Sequence, residues 1–188
     1  ILSYEGIMLR KHLQGGVAKG ALTQEQADAV AELMLACGVA VNMDYGSDGS
    51  GAYTDQATLG LIQYMGITTA DFKERDDYSD TQWMTMVYEE LAGGHAMYYS
   101  AVDSNPWTGG GHAFVCDGYN EQGEVHINWG WSGDDNGFYN INLLNPSYYQ
   151  FSLYQDFIRG LWDPYEQGGS DIKLIDLAFE DVQPGTLK

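Results

Sequence analysis

Proline and cysteine are rare in this chain, basic residues are few, and no long hydrophobic run occurs. Four prolines against 24 glycines in 188 residues point to many tight turns rather than to disorder. The two cysteines, Cys37 and Cys116, make no disulfide framework and no Cys-x-x-Cys spacing, and they leave the redox compartment open. Eight Lys and Arg stand against 27 Asp and Glu, a formal charge of −19. Such a chain repels phosphate backbones, which excludes nucleic acid as a partner. Strong acidity favours solubility and suits a secreted or surface-exposed protein. No segment approaches the length of a membrane span. The first residue is Ile1, and no charged-then-apolar signal segment precedes the folded region, so a processed piece of a longer protein is expected.

What is present is a normal hydrophobic share, 44%, with 14 tyrosines, enough for the core of about one domain. The first half reads helical. Thr23-Gln24-Glu25-Gln26 has the form of a capping box, followed by Ala27, Val30, Ala31, Met34 and Leu35 at helical spacing, with Gly38 as the expected stop. Val39 to Met43 reads as a short strand, and Asp44 to Tyr53 as a glycine- and serine-rich loop. Thr54 is the expected cap of a second helix running through Met65. Ser79-Asp80-Thr81-Gln82 is a second capping box, and Trp83, Val87 and Leu91 mark one face of a third helix ended by Gly93 and Gly94.

The period then changes to two. Strands are expected at Ala96 to Val102, His112 to Tyr119, Glu124 to Trp129, Phe138 to Leu143 and about Tyr154 to Trp162. Short connections between them favour antiparallel neighbours, so the order of elements predicts an α+β fold. After Pro164 the character shifts. Glu166 to Ser170 is linker-like, and Ile172 to Phe179 reads as the first strand of a following module.

The stretch Gly109-Gly110-Gly111-His112-Ala113-Phe114, followed by His126-Ile127-Asn128-Trp129-Gly130-Trp131, concentrates the chemistry. It reads as a hairpin in which one strand opens on a histidine behind glycines and the other ends in paired tryptophans. An imidazole so placed can serve as a general base, with glycines admitting a substrate backbone and an aromatic wall orienting the ring. His95 also lies in a Gly-Gly-His-Ala context, so local sequence does not separate it from His112. Position favours His112, because strand parity puts Phe114 opposite Trp129 and His112 opposite Trp131. The other reading makes both tryptophans core residues. His126 faces away from Trp129 by alternation, and His12 receives no role.

Neither cysteine has a nucleophile's setting. A thiolate is favoured at a helix N-terminus or beside a cation, whereas Cys37 falls at a helix C-terminus and Cys116 in mid-strand. Cys116 is about 13 Å along the strand from His112, too far for proton transfer. The acidic turn Gly133-Asp134-Asp135-Asn136-Gly137 lacks the alternating ligands of a calcium loop, and no zinc spacing exists. No metal or organic cofactor is called for.

These motifs resemble the streptopain family of secreted bacterial cysteine peptidases. The likeness rests on GGGHAFVCDGY, VHINWGWSGDDNGFY and INLLNPS, with AELMLACGVAVNMDYGSDGSGAY upstream, and it covers residues 24 to 164 in order. It implies a papain-like fold, with a helical left part, an antiparallel right part and a cleft between them. It makes residues 1–164 the histidine-bearing portion of a peptidase domain, and 165–188 a linker with the start of another module. It assigns His112 as the catalytic histidine. Trp129 stands beside it where papain has an asparagine, and Trp131 is the neighbouring wall. Gly111 and Ser50 are the implied holders of the substrate backbone.

In that family the nucleophilic cysteine opens a long helix upstream of everything present here. The resemblance therefore implies a thiol-dependent endopeptidase acting on protein or peptide substrates, with His112 serving a cysteine supplied by an upstream segment or chain. It also implies a secreted zymogen with an inhibitory propeptide. The isolated chain is expected to be inactive. The alternative is a pseudopeptidase or protein-binding module on the same fold. The family's glycine-rich C-terminal loop is replaced here by Tyr148 to Asp156.

Overall fold

A computed structural model describes residues 14, 16–46 and 49–162, so His12 and the tail after Trp162, with its expected linker and strand, lie outside the described residues. The chain divides into two compact units, one ending at Gly66 and the other starting at Ile67.

The first unit is helical. Helix α1 (Gln24–Ala40) opens on the expected capping box, with Thr23 and Gln26 exchanging side-chain and main-chain hydrogen bonds. It does not stop at Gly38. The left-handed residue is Asn42, and the amides of Asn42 and Met43 reach back to the carbonyls of Val39 and Gly38. The expected strand at Val39 to Met43 is therefore the helix end and its turn. Gly38 has another role: a Cβ there would lie 1.7 Å from the Tyr45 hydroxyl, so glycine admits that ring. Of the expected apolar face only Ala27 is buried, together with Ala36 and Gly38 further along the helix, while Val30, Met34 and Leu35 are exposed. The apolar periodicity was legible, but no surface among the described residues buries it. Two short strands, β1 (Asp44–Tyr45) and β2 (Ser50–Gly51), pair antiparallel. Helix α2 (Thr54–Tyr64) follows. Tyr53 is its cap residue and Thr54 its first helical residue, so Thr54 does not cap it.

The second unit is a six-stranded antiparallel sheet carrying helix α3 (Asp80–Ala92). Its strands are β3 (Asp71–Glu74), β4 (Met97–Val102), β5 (Gly111–Tyr119), β6 (Val125–Asn128), β7 (Gly137–Tyr139) and β8 (Leu153–Arg159), in the spatial order β3-β8-β4-β5-β6-β7. The sequence missed β3, whose four residues Asp-Phe-Lys-Glu show no apolar alternation. Strand β7 is shorter than expected, because Asn140 closes a turn that takes Ile141 to Leu144 out of the sheet. Helix α3 carries the second capping box on Ser79 and Gln82 and buries the three expected residues, Trp83, Val87 and Leu91. Trp83 meets Phe157 at 4.4 Å and Tyr99 edge-on at 6.1 Å.

Two bulges re-aim side chains. Ser100 pairs with Asp156 but Val102 with Leu153, leaving two residues of β8, Tyr154 and Gln155, opposite Ala101. Tyr154 takes φ 47°, and Gln155 is turned into the core. There the Trp83 indole donates to the Tyr99 hydroxyl, which donates to Gln155 Oε1, while Gln155 Nε2 donates to the carbonyls of Ile141 and Phe151. In β5 the extra residue is Asp117, whose carboxylate meets His126 Nδ1 at 2.5 Å.

The end of β8 is closely packed. Gly160 has φ 71°, and a Cβ there would fall 2.1 Å from the Thr69 carbonyl oxygen. Gly160→Ala is expected to cost about 2 kcal/mol or more, since left-handed strain and overpacking add. Urea denaturation checks it; a midpoint within error of the parent would contradict the packing described.

Candidate active site

His112 is the second residue of β5, and its imidazole is half-buried. Nε2 lies 2.8 Å from the main-chain carbonyl oxygen of Trp129. A carbonyl only accepts, so Nε2 carries the hydrogen and Nδ1 the lone pair. Trp131 stacks on the imidazole at 4.9 Å, with Phe151 at 5.6 Å and the Trp129 ring at 6.3 Å. Burial lowers the His112 pKa below its ordinary value, and the Trp129 hydrogen bond opposes that in part. Burial thus favours the neutral form of the ring.

The expected register holds: Val115 pairs with Asn128, and one step further the Phe114 and Trp129 rings meet at 4.6 Å. The two tryptophans differ in kind. Trp129 is fully buried, and it is its carbonyl that meets the histidine; Trp131 is partly exposed and supplies the nearest ring. Trp129 is itself pinned by the acidic turn. Its indole donates to the Asp135 carbonyl, its amide to Asn136 Oδ1, and Ser147 donates to the Asp135 carboxylate. The turn at Gly133 to Gly137 thus positions the carbonyl that orients His112, a role its composition did not signal.

Gly111 opens β5, and a Cβ there would make only ordinary 3.8 Å contacts. Gly109 and Gly110 both take positive φ, which bends the chain into the strand. Ser50 belongs to the helical unit; its Oγ is buried and has no hydrogen-bond partner among the described residues. His95 closes the turn after α3, 3.6 Å from Glu90 and stacked on Trp162 at 5.4 Å. Burial pushes the Cys116 thiol up to about 12, with Asp117 adding to the effect, and burial also raises Cys37. Neither cysteine is in a setting that favours a thiolate.

Sequence reasoning missed Asp103. This buried carboxylate clasps the loop of residues 103–110 to the loop of residues 147–152. Its Oδ1 accepts from the amides of Asn105 at 2.9 Å and Gln150 at 2.8 Å, and its Oδ2 accepts from the Thr108 hydroxyl. The Asp103 amide donates to the Gly110 carbonyl, and the Ser104 amide to the Gln150 carbonyl. Asp-Ser-Asn-Pro was legible as a turn, but its partner lies 47 residues away. Phe151 and Tyr149, which pack beside Trp131 and His112, arrive on that second loop.

With this geometry in view, the relatives become informative. A sequence profile of the Peptidase C10 family matches residues 8–139. The chain belongs to the peptidase C10 family. Streptopain of Streptococcus pyogenes is 35% identical over 123 residues, 65% of this chain and 30% of streptopain. The thiol protease/hemagglutinin PrtT of Porphyromonas gingivalis is 33% identical over 137 residues, 71% of this chain and 15% of PrtT. Interpain A, a cysteine protease of Prevotella intermedia, superposes with a TM-score of 0.72 at 47% identity, covering 76% of this chain and 59% of interpain A. A prointerpain A fragment gives a TM-score of 0.64 at 48% identity, over 75% of this chain and 44% of the fragment. The chain thus spans under a third of streptopain and about three fifths of interpain A. The fold is α+β and papain-like.

Burial raises the Asp103 pKa, but the Thr108 hydroxyl and the main-chain amides outweigh it and hold the carboxyl below its usual range. A folded pKa below the unfolded one gives stability that is present above about pH 4 and is lost as pH falls through the folded value. Asp103→Asn places an NH₂ group against amide donors. It is expected to be less stable at neutral pH, with a flatter pH dependence below about pH 4. Urea midpoints measured from neutral to acid check this; an unchanged acid slope would remove Asp103 from that role.

Proposed function

We propose that this chain is the base-bearing portion of a secreted bacterial cysteine endopeptidase acting on protein or peptide substrates. The observation that carries the reading is the His112 Nε2 bond to the Trp129 carbonyl, which leaves Nδ1 as the basic nitrogen at a glycine-flanked strand opening. The family membership and the likeness to interpain A support proteolysis as the activity. Likeness to a prointerpain supports a propeptide that holds the enzyme as a zymogen. Among the described residues no helix is long and apolar enough to cross a membrane, which is compatible with secretion.

The nucleophile in this reading is a cysteine on a segment outside the chain. Two observations support that. Both thiols present are raised by burial. Helix α1 also leaves Val30, Leu33 and Met34 exposed on one face, a surface suited to packing against more protein.

Nδ1 takes the proton of that thiol, and the thiolate attacks the scissile carbonyl carbon. The Nε2–H bond to Trp129 holds the resulting imidazolium in place. The imidazolium then protonates the leaving amine. The neutral ring next deprotonates a water, which releases the acyl group and restores the thiol. Trp131 and Phe151 shield the ring from solvent. In this reading Gly111, at the opening of β5, holds substrate backbone beside the ring.

In the full-length protein, His112→Ala is expected to reduce peptide hydrolysis by about 100-fold or more, the low end of general-base catalysis. His95→Ala is expected to retain most activity. Iodoacetamide is expected to inactivate the parent, and Cys37→Ala with Cys116→Ala to leave that sensitivity intact. Equal losses at His95 and His112, at unchanged melting temperature, would overturn the assignment. A folded protein that turns over no peptide would favour a binding module instead.

A further inference from the structure

Two aromatic side chains on the loops that lead into this site are exposed and stack on no other ring among the described residues. Trp107 is 92% exposed at the tip of the loop entering β5, and Tyr148 is 81% exposed on the loop entering β8. Single exposed aromatics are ordinary. These two are not independent. Asn105 Nδ2 donates to the Tyr148 carbonyl at 2.7 Å, while Asn105 Oδ1 accepts from the Trp107 amide at 3.1 Å. One side chain thus ties the main chain beneath both rings, and the buried Asp103 carboxylate anchors the same two loops from below.

Both loops lead directly to His112. Trp107 precedes it by five residues, through the three glycines, and a Cβ at Gly109 or Gly110 would meet nothing within 4 Å. Tyr148 is followed by Tyr149, which packs on Trp131 at 5.4 Å, and Trp131 stacks on His112. Hydrogen bonds thus hold the main chain of two loops that leave large aromatic rings exposed to water. Pre-ordered Tyr and Trp supply contact area at low entropic cost.

We propose that Trp107 and Tyr148 form an aromatic subsite that grips an apolar side chain of a polypeptide substrate, away from the scissile bond. The proposal rests on the peptidase reading of His112. The occupant follows from continuity: Trp107 and Tyr148 sit on the two loops that lead into His112 and into the Tyr149–Trp131 stack against it, so a polypeptide engaged at His112 is the ligand these loops border, and the rings offer it no charge to pair. Contacts remote from the reacting atoms bind ground state and transition state alike, so they act on KM and leave kcat unchanged.

The test uses the full-length protein and peptides sharing one scissile bond, lengthened on either side by Leu, Phe or Ser. An apolar extension on one side is expected to lower KM by roughly 2- to 10-fold, the scale of one aromatic contact, and a Ser extension not to do so. Trp107→Ala should abolish that gain, Tyr148→Ala should reduce it, and Trp107→Phe should keep most of it. All three should match the parent on the shortest peptide. Retention of the full gain by Trp107→Ala overturns the subsite while leaving the peptidase reading intact. A kcat loss on the shortest peptide also overturns it, since the residue would then act on the base. Should no variant, parent included, turn over any peptide, the peptidase reading fails. Equilibrium binding of the same peptides then decides, and equal affinity of parent and Trp107→Ala rejects the subsite.

Discussion

The hydrogen bond from His112 Nε2 to the Trp129 carbonyl sets the tautomer, tilt and depth of the imidazole, and much of the second unit serves to place its two ends. A main-chain acceptor cannot rotate away as a side-chain amide can, so its position is as good as the position of the backbone. That backbone is held on three sides. The Trp129 ring is fully buried, its indole N–H is taken by the Asp135 carbonyl, and its amide by Asn136. An imidazole held this way has little freedom left to lose, which is the advantage of mounting a side chain on strands rather than on free loops.

Around that bond the loops are fixed by buried polar groups rather than by apolar packing alone. Asp103 fastens the entry to β5, and Gln155 fastens the carbonyl of Phe151, the residue under the imidazole. Glycine-rich entry segments offer few side chains to pack, so directional bonds take over the task of holding them. Removing one partner leaves a buried group unsatisfied, which makes such clusters stiff and specific. The bulge at Tyr154 has the same purpose, since without the extra residue Gln155 would face the opposite side of the sheet.

The two units also differ in how complete they are by themselves. The sheet unit buries the apolar face of α3 and has a continuous core from Trp83 to Phe151. Helix α1 instead leaves an apolar stripe uncovered, and the chain spans only part of its relatives.

Local rules determined what was local. Both capping boxes, the apolar face of α3, the hairpin register that brings Phe114 to Trp129, and the glycine-histidine opening of β5 were legible because each depends on residues within one helix or one hairpin. The helix stop at Gly38 was misread because a glycine can serve packing as well as chain reversal, and only the Tyr45 hydroxyl shows which. Strand β3 was invisible because its pairing with β8 is imposed across more than eighty residues by a partner, not by its own pattern. Tertiary structure alone decided that Trp129 acts through its carbonyl and Trp131 through its ring, that an acidic turn pins the former, and that Asp103 joins two loops far apart in sequence. Those are contacts between main-chain and side-chain atoms brought together by folding. A linear pattern records which residues are available for them, and only the closed sheet determines which atoms meet.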